Sequence, residues 1–386
     1  MRIAFFTDSY LPYTSGVVRS LVTFRKELES RGHKVFIFAP RYGGEGEEEG
    51  VYRFRSLRAP TFKDFALAFP LSPGLPALLE TLGVEIIHVH SPFLMGSLGA
   101  VMARRLGLPL VGTYHTLYEE YTHYFPLIPS LVKRLVRFYT IGFYNRCDLV
   151  IAPSQGVKNY LRERGLKVPV NSIPTGIELE RFKNLNPFWL RERLGLTGEE
   201  KIVLHVGRLG KEKNIPFILR SFARVSYLLP QAKLVLVGNG PLRSYLEALA
   251  RDLAIEKRVI FAGGFAFHEM PQVYAGAQML AFASQTETQG LVVAEAKAAG
   301  IPVVAVRAMG VEEAVVSGED GFLTPPEEGV FAHKLMELLS NDVLRKRMGH
   351  KAQENARAFS AKLMAQKLEY CYNELRKEGK CRCLLK

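Results

Sequence analysis

Cysteine is scarce in this sequence. The 386 residues include only four cysteines, Cys147, Cys371, Cys381 and Cys383. This number and spacing exclude the disulfide framework of a small secreted protein. We interpret Cys381 and Cys383 as part of a reduced C-terminal tail, with metal binding or a modified reactivity as the alternative.

Long apolar runs are lacking as well. No uninterrupted apolar stretch approaches the ~20 residues that a membrane-spanning helix needs. The first residues carry no secretory signal, since Asp8 follows a single short apolar run. We therefore expect a cytoplasmic protein, or one that is peripheral on the inner face of the cell membrane.

Acidic residues are in deficit, but the basic excess is not concentrated. The chain has 51 Lys and Arg against 38 Asp and Glu, a formal net charge of +13. Residues 1–180 hold 21 basic and 16 acidic residues, so the excess is +5 there and +8 in the remainder. Most of it is interpreted as solvated surface, and the partners that a basic excess can indicate are nucleic acid, an anionic membrane surface or phosphorylated ligands.

Short apolar runs alternate with helical patterns along the chain, and the rhythm restarts once. The runs are continuous, which is typical of strands buried on both faces of a parallel sheet. The first series lies at residues 3–7, 35–39, 86–89, 110–113 and 149–152, and the second at 202–206, 234–237, 259–262, 279–283 and 303–306.

This rhythm predicts an α/β protein with two Rossmann-like, doubly wound domains. Proline and glycine punctuate residues 173–186, where the joint is expected. The N-terminal domain is predicted at 1–180, completed by a C-terminal helix at 361–377. The C-terminal domain is predicted at 181–360.

In such sheets ligands bind beyond the carboxyl ends of the strands, so residues that directly follow strands are the candidates. Gly16 follows the first strand and opens a helix, although a tight turn explains it equally well. His88 and His90 share one strand face, and a metal site there is disfavoured because no acidic partner follows. His115 ends another strand and is a candidate catalytic or orienting group.

Two glycine-rich strand ends open the second series. Gly207 follows its first strand, and Arg208 and Lys213 then stand five residues apart before a helix. Two cations at a helix N-terminus suit a diphosphate, with a surface basic cluster as the alternative. The turn at residues 238–241 is of the same kind.

The segment from Glu287 to Glu295 is the most specific signal. It follows an apolar run and enters a helical pattern at 289–299 through Gly290. The amides of Gly290 and Leu291 suit a phosphate oxygen. The two carboxylates suit sugar and ribose hydroxyls.

These motifs together resemble the retaining glycosyltransferases of family 4, over essentially the whole chain. Their GT-B fold has two Rossmann-like domains facing a cleft. The resemblance implies that the domain at 1–180 binds the acceptor and that the domain at 181–360 binds the nucleotide sugar. The motifs that carry the resemblance are Ser15-Gly16-Val17, His88-Val89-His90-Ser91-Pro92, His115, Pro174-Thr175-Gly176, Gly207-Arg208, Lys213-Asn214, Gly238-Asn239-Gly240 and the acids Glu287 and Glu295.

The resemblance implies catalytic roles for four side chains. Arg208 and Lys213 would hold the donor diphosphate and stabilise the leaving group. Glu287 would contact the donor sugar, and His115 would lie beside that sugar near the reacting carbon. Because protein cations would stabilise the leaving group, neither a divalent metal nor a cofactor is expected.

The resemblance also implies that further residues bind the donor, through their backbone amides or through its ribose. Glu295 would bind the ribose hydroxyls. The amides of Gln289, Gly290 and Leu291 would contact sugar and phosphate, next to the Gly207 turn. Gly16 would approach the diphosphate from the N-terminal domain.

Gln289 refines the resemblance, because many members have Phe at this position. With the opening residues 6–17, it looks like the bacterial 1,2-diacylglycerol 3-glucosyltransferases, which transfer glucose from UDP-glucose and form monoglucosyldiacylglycerol at the membrane surface. The resemblance therefore predicts a 1,2-diacylglycerol 3-alpha-glucosyltransferase of glycolipid synthesis.

Other functions remain compatible with the sequence. The same fold would serve a mannosyl- or other hexosyltransferase that acts on a phosphoinositol-type lipid, a soluble sugar or a polysaccharide. A nucleic-acid-binding protein is disfavoured, because clustered basic and aromatic motifs are lacking.

Two segments favour a membrane surface. Residues 129–146 place Leu131, Leu135 and Phe138 at helical spacing with basic residues on another arc, as in a helix that lies in an anionic interface. Residues 61–73 form a second apolar candidate. Packing of both segments on the N-terminal core is the alternative.

Overall fold

The computed structural model describes residues 1–58, 66–120 and 129–378, which form two compact units. The first unit comprises Met1–Gly176 and the chain from Ala361 onward, and the second comprises Ile177–Ser360. The boundary between Gly176 and Ile177 lies within residues 173–186, where the joint was expected. Cys381, Cys383 and residues 61–65 lie outside the described residues.

A parallel sheet of seven strands forms the centre of the first unit, in the order β3-β2-β1-β6-β7-β8-β9, and β4 pairs with β5 antiparallel. The strands of this unit are β1 (Arg2–Phe6), β2 (Lys34–Pro40), β3 (Val51–Phe54), β4 (Ser56–Arg58), β5 (Ala66–Ala68), β6 (Ile86–Val89), β7 (Leu110–Thr113), β8 (Leu149–Ala152) and β9 (Val170–Ser172). Its helices before the division are α1 (Gly16–Ser30), α2 (Leu75–Thr81), α3 (Leu94–Leu106), α4 (Pro129–Tyr144) and α5 (Gln155–Glu163).

The second unit has a parallel sheet of six strands in the order β12-β11-β10-β13-β14-β15. The strands are β10 (Lys201–Val206), β11 (Ala232–Val237), β12 (Val259–Gly263), β13 (Met279–Phe282), β14 (Val303–Val306) and β15 (Gly321–Thr324). The helices are α6 (Trp189–Leu194), α7 (Ile215–Leu228), α8 (Arg243–Asp252), α9 (Met270–Ala275), α10 (Leu291–Ala298), α11 (Glu328–Ser340) and α12 (Asp342–Ala356). The last helix, α13 (Ala361–Glu378), returns to the first unit.

Both sheets confirm the prediction of two Rossmann-like domains. In each of them the strand order reverses beside one central strand, β1 or β10, as in the doubly wound fold. Every residue of β6, β7, β8, β13 and β14 is buried. Burial on both faces explains why these strands read as continuous apolar runs.

Helix α13 completes the core of the first unit. Its side chains Met364, Leu368 and Tyr372 are buried and pack with residues of α1 such as Leu21 and Phe24. The predicted helix at 361–377 coincides with this element.

The structure differs from the predicted elements at one helix start and at five short strands. Helix α10 begins at Leu291 rather than at residue 289, because Gly290 adopts a left-handed φ of +71° and forms the N-cap. Strands β3, β4, β5, β9 and β15 were not predicted, and each has only three or four residues. Within the described parts of the chain, no helix is long and apolar enough to cross a membrane.

Candidate active site

The predicted site residues lie at the points where the strand order of the two sheets reverses. At β1/β6 and at β10/β13, the loops that leave neighbouring strands diverge to opposite faces of the sheet, which leaves a crevice at the carboxyl ends. Gly16 and His115 belong to the first unit. The other predicted residues belong to the second.

Glycine allows two turns of the second unit to pack backbone against backbone. A Cβ at Gly238, where φ is +131°, would lie 2.0 Å from the carbonyl oxygen of Gly207. The Gly207 amide donates to the Val237 carbonyl at 2.9 Å, and the Leu209 amide donates to the Asn239 carbonyl at 3.0 Å. The turn that carries exposed Arg208 is therefore held by its backbone.

Lys213 and Glu287 form an ion pair across the β10/β13 crevice. Lys213 ends a short 3-10 turn, Lys211–Lys213, and its Nζ donates to Glu287 Oε1. Ser284 Oγ, directly after β13, donates to the carbonyl of Glu212 at 2.9 Å and ties the two loops together. Both charged side chains are 19% exposed, so the pair is accessible to a ligand that has phosphate oxygens and hydroxyls.

The loop from Glu287 to Gly290 rests on a glycine that the sequence did not indicate. A Cβ at Gly310 would lie 2.4 Å from the Glu287 carbonyl oxygen, and the Gly310 amide donates to that oxygen at 3.1 Å. Gly290 then turns the chain into α10, with half-buried Gln289 and Leu291 on either side. The first amides of α10 therefore follow Glu287 within a few residues of the chain, and the N-terminal amides of a helix are donors that suit an anion.

Glu295 lies inside α10 and is held by Tyr274, a residue without a sequence signal. The Tyr274 hydroxyl donates to Glu295 Oε2 at 2.7 Å, and both side chains are buried. Further along α10, buried Lys297 forms an ion pair with Asp320 at 2.7 Å. These contacts fix the helix that presents its N-terminal amides to the crevice.

His205 is a buried histidine of β10 beneath this site. Its Nδ1 lies 3.1 Å from the Ala281 carbonyl, so Nδ1 carries the proton. Its Nε2 has no hydrogen-bond partner among the described residues. Burial lowers the pKa of His205 to about 4, with the charge of Lys213 adding to the effect and the bond to Ala281 opposing it.

Asp8 organises the crevice of the first unit, although the sequence motif did not single it out. Its Oδ1 accepts from the Met95 amide at 3.0 Å at the start of α3, and Ser91 Oγ donates to Oδ2. Burial raises the pKa of Asp8, and these hydrogen bonds oppose the shift. Exposed Gly16 begins α1, which Ser15 caps.

His115 directly follows the β7 region and contacts a second histidine. Its Nε2 lies 3.0 Å from Nδ1 of His90. Burial lowers the pKa of His115 to about 3. His115 is therefore a neutral imidazole at physiological pH.

Most predicted donor-site residues of the second unit thus come together. Lys213 contacts Glu287, Gln289 to Leu291 follow directly, and Arg208 lies on the adjoining turn. Within residues 1–58, 66–120 and 129–378, no group of three His, Cys, Asp or Glu side chains has the clustering that a metal site needs. That transfer requires no metal stays a prediction.

Two family profiles match the chain. The profile described as Glycosyltransferase Family 4 matches residues 14–181, and that described as Glycosyl transferases group 1 matches residues 189–355. An alpha-monoglucosyldiacylglycerol synthase of Streptococcus pneumoniae is 39% identical over 79% of this chain and 71% of its own length. One of the same name from Acholeplasma laidlawii is 28% identical over 97% of both chains.

A further relative and a solved structure are also similar to this chain. The sulfoquinovosyl transferase SQD2 of Arabidopsis thaliana is 30% identical over 93% of this chain and 70% of its own. The crystal structure of Anabaena HepE in complex with UDP superimposes with a TM-score of 0.76, at 23% identity, over 96% of this chain and 98% of that one. The GT-B fold is thereby shown.

The burial of His205 predicts an acid-sensitive second unit. Its pKa is about 4 in the folded chain and about 6.5 when unfolded, so the unfolded state binds the extra proton between these values. The stability that the folded chain has with neutral His205 is fully present above pH 6.5. It is lost as the pH falls toward 4. At pH 5 this loss is roughly 2 kcal/mol.

Urea unfolding at pH 7 and pH 5 measures this loss, followed by fluorescence of the single tryptophan, Trp189, which reports on the second unit. The variant His205→Phe is expected to lose less stability between the two pH values than the wild type. His350→Asn, on the exposed side of α12, is the control and should keep the wild-type loss. Equal losses in all three proteins would contradict the assignment.

Proposed function

The chain belongs to glycosyltransferase family 4, and from that membership we propose that it moves glucose from UDP-glucose to the 3-hydroxyl of 1,2-diacylglycerol. The product would be monoglucosyldiacylglycerol, with the configuration of the anomeric carbon retained. The two monoglucosyldiacylglycerol synthases among its relatives support this acceptor.

The observation that carries the donor half of the proposal is the Lys213–Glu287 pair at the N-terminus of α10. A sugar diphosphate has a charged part that suits Lys213 and the helix amides, and hydroxyls that suit Glu287. On binding, the phosphate oxygens would replace Glu287 as the partner of Lys213. Glu287 would then accept from the sugar.

In the proposed transfer, the acceptor oxygen forms a bond to the anomeric carbon while the bond from that carbon to the UDP phosphate oxygen breaks. The proton of the acceptor hydroxyl passes to the leaving diphosphate on the same face of the sugar. Negative charge grows on the diphosphate, and Arg208, Lys213 and the amides of α10 would stabilise it. UDP leaves with the proton.

The surface of α4 supports a lipid acceptor at a membrane. Leu131, Leu135 and Phe138 are 55%, 59% and 80% exposed. This stripe therefore does not pack on the core, whereas the alternative interpretation required that it did. Arg134 and Arg137 are exposed on the same helix. Apolar and basic side chains together suit the interface of an anionic bilayer, which supports our proposal that the protein is peripheral on the inner face of the membrane.

A second apolar surface lies at the β4–β5 pair. Leu57 and Leu67 face each other across it and are exposed, as are Phe69 and Leu71 further along the chain. This surface overlaps the second predicted membrane segment.

A product assay tests the donor and the acceptor together. Purified protein is incubated with vesicles that contain 1,2-diacylglycerol and with one radiolabelled nucleotide sugar at a time. We expect a monoglucosyl lipid from UDP-glucose, identified by mass spectrometry, with an α-linkage by NMR. Vesicles without diacylglycerol are the control. A product formed only from GDP-mannose, or only on a phosphoinositol lipid or a soluble sugar, would refute the proposal.

Removal of either donor-site cation is expected to disable transfer without unfolding the protein. Arg208→Ala and Lys213→Ala should each lower kcat by roughly 100-fold or more, the loss typical of a missing group that stabilises developing charge. Lys211→Ala is the matched control, because Lys211 is an exposed cation of the same short turn. Circular dichroism checks the fold. Near-normal transfer by both variants would count against their assigned role.

Membrane binding is expected to depend on the basic side chains of α4. The double variant Arg134→Glu/Arg137→Glu should sediment with anionic vesicles at least tenfold less than the wild type, since each basic residue near such a surface contributes about 1 kcal/mol. Arg251→Glu/Lys257→Glu makes the same charge change on exposed residues of the second unit and serves as the control. High salt should also release the wild type. Equal binding to neutral and anionic vesicles would rule out this electrostatic contribution.

A further inference from the structure

A buried nitrogen of the second unit lies beside the donor site without a partner. His205 of β10 is fully buried, and its Nδ1 donates to the Ala281 carbonyl at 3.1 Å. Burial keeps the ring neutral by lowering its pKa to about 4. A neutral imidazole has a single N–H, so Nε2 carries a lone pair. Among the described residues, nothing donates a hydrogen bond to that lone pair.

Packing alone does not explain a histidine at this position. The other buried residues of β10, Ile202 to Leu204 and Val206, are all apolar. An apolar side chain of similar size would fill the same space without an unpaired polar atom, which costs stability when it is buried. The lone pair therefore indicates a partner that is present in another state of the site.

The side chain of Lys213 borders the same space as this lone pair. A Cβ at Gly207 would lie 3.6 Å from His205 Nε2, 3.6 Å from Lys213 Cε and 3.7 Å from Lys213 Cδ. Twice the shorter distance is therefore the most that can separate Nε2 from Cε. Lysine carries rotatable donors on a flexible four-carbon stem, so a movement of this side chain can bring Nζ to Nε2.

Lys213 has more donors than its partner in the structure uses. An ammonium group has three N–H donors, and Glu287 accepts one of them. Besides burial and the bond to Ala281, the charges of this pair act on the His205 ring, since Lys213 lowers its pKa and Glu287 raises it. The ring and the ion pair are therefore close enough to interact.

We propose that His205 is a positioning residue for Lys213, whose Nζ donates to His205 Nε2 once a diphosphate has replaced Glu287. In the ligand-free chain, Glu287 holds the ammonium group. When Glu287 accepts from the sugar instead, Nζ has a phosphate oxygen and His205 Nε2 as its partners. This role rests on the proposed function, because it needs a nucleotide diphosphate at the site.

A neutral acceptor suits this purpose better than a second carboxylate. A lysine ammonium is a point charge on a flexible stem, and it stabilises a leaving group best when it is oriented before the negative charge grows. The Nε2 lone pair of His205 orients the ammonium group and adds no negative charge that would oppose the diphosphate. Lys213 then keeps its full charge for the phosphate oxygens.

Nitrogen NMR of the full chain labelled with ¹⁵N-histidine tests the contact without any transfer. Loss of signals in His205→Gln identifies the His205 ring. We expect an unprotonated Nε2 in the free protein, and saturating UDP should move its resonance to lower frequency, as acceptance of a hydrogen bond does. In Lys213→Met, which has a stem of similar length without a donor, saturating UDP should leave the resonance near its position in the free protein.

A parallel titration with GDP covers the alternative nucleotide. A shift with GDP and not with UDP would support the contact and refute the donor of the proposed function. A wild-type resonance that neither nucleotide moves would overturn the contact. So would a shift of equal size in Lys213→Met.

Kinetics distinguish positioning from packing. His205→Phe keeps a ring without an acceptor and should lower kcat roughly tenfold, with KM for the nucleotide sugar little changed. His205→Gln loses the ring but can place its amide oxygen near the position of Nε2, so it should keep most of the turnover. A role in packing alone predicts the opposite order, because Phe fills the space better. His350→Phe, on the exposed side of α12, is the control.

A double variant tests whether His205 acts through Lys213. In the Lys213→Ala background, His205→Phe should lower kcat little further, since the partner of Nε2 is already gone. A further tenfold loss there, or a turnover of His205→Phe at or above that of His205→Gln, would refute the assignment. If the wild type transfers no glucose to diacylglycerol, the proposed function fails, while the titrations with UDP and GDP still decide the contact between Lys213 and His205.

Discussion

In each unit of this protein the strand order of a parallel sheet reverses beside one central strand, β1 or β10. The loops on either side of that point diverge to opposite faces of the sheet, which leaves a crevice between them. The polar side chains that follow β10 and β13 therefore meet there, and so do those that follow β1 and β6. The ion pair between Lys213 and Glu287 and the contacts of Asp8 with the start of α3 both depend on this arrangement.

Close backbone approaches make the second crevice rigid enough to orient charge. Gly238 lets one turn lie against Gly207, and Gly310 supports the loop that carries Glu287. A Cβ at either position would lie well inside the normal contact distance of the facing backbone, so the two backbone segments would have to move apart. The cation, the carboxylate and the amides of α10 are thus held in place before a ligand binds, and such preorganisation is what makes electrostatic stabilisation effective.

Much of the candidate site could be predicted from the sequence, because its residues are close to one another along the chain. Arg208 and Lys213 lie in one turn, and Glu287 to Glu295 lie in one loop and helix. Tyr274 and Gly310 could not be found in this way, because they reach the site from other parts of the chain. His205 lies only three residues before Arg208, but a histidine within an apolar strand, like a tyrosine in a short helix, has no pattern that separates a partner of the site from an ordinary core residue.

The sequence by itself determined the alternation of strands and helices, the two Rossmann-like domains and the family, since these depend on local periodicity and on motifs of contiguous residues. Only the tertiary structure decided which groups meet: Lys213 with Glu287, Tyr274 with Glu295, and His90 with His115. It also decided that Leu131, Leu135 and Phe138 stay exposed. The physical reason is that hydrogen bonds, ion pairs and burial join residues that are distant in the chain, and helical spacing alone does not tell whether an apolar stripe faces the core or the solvent.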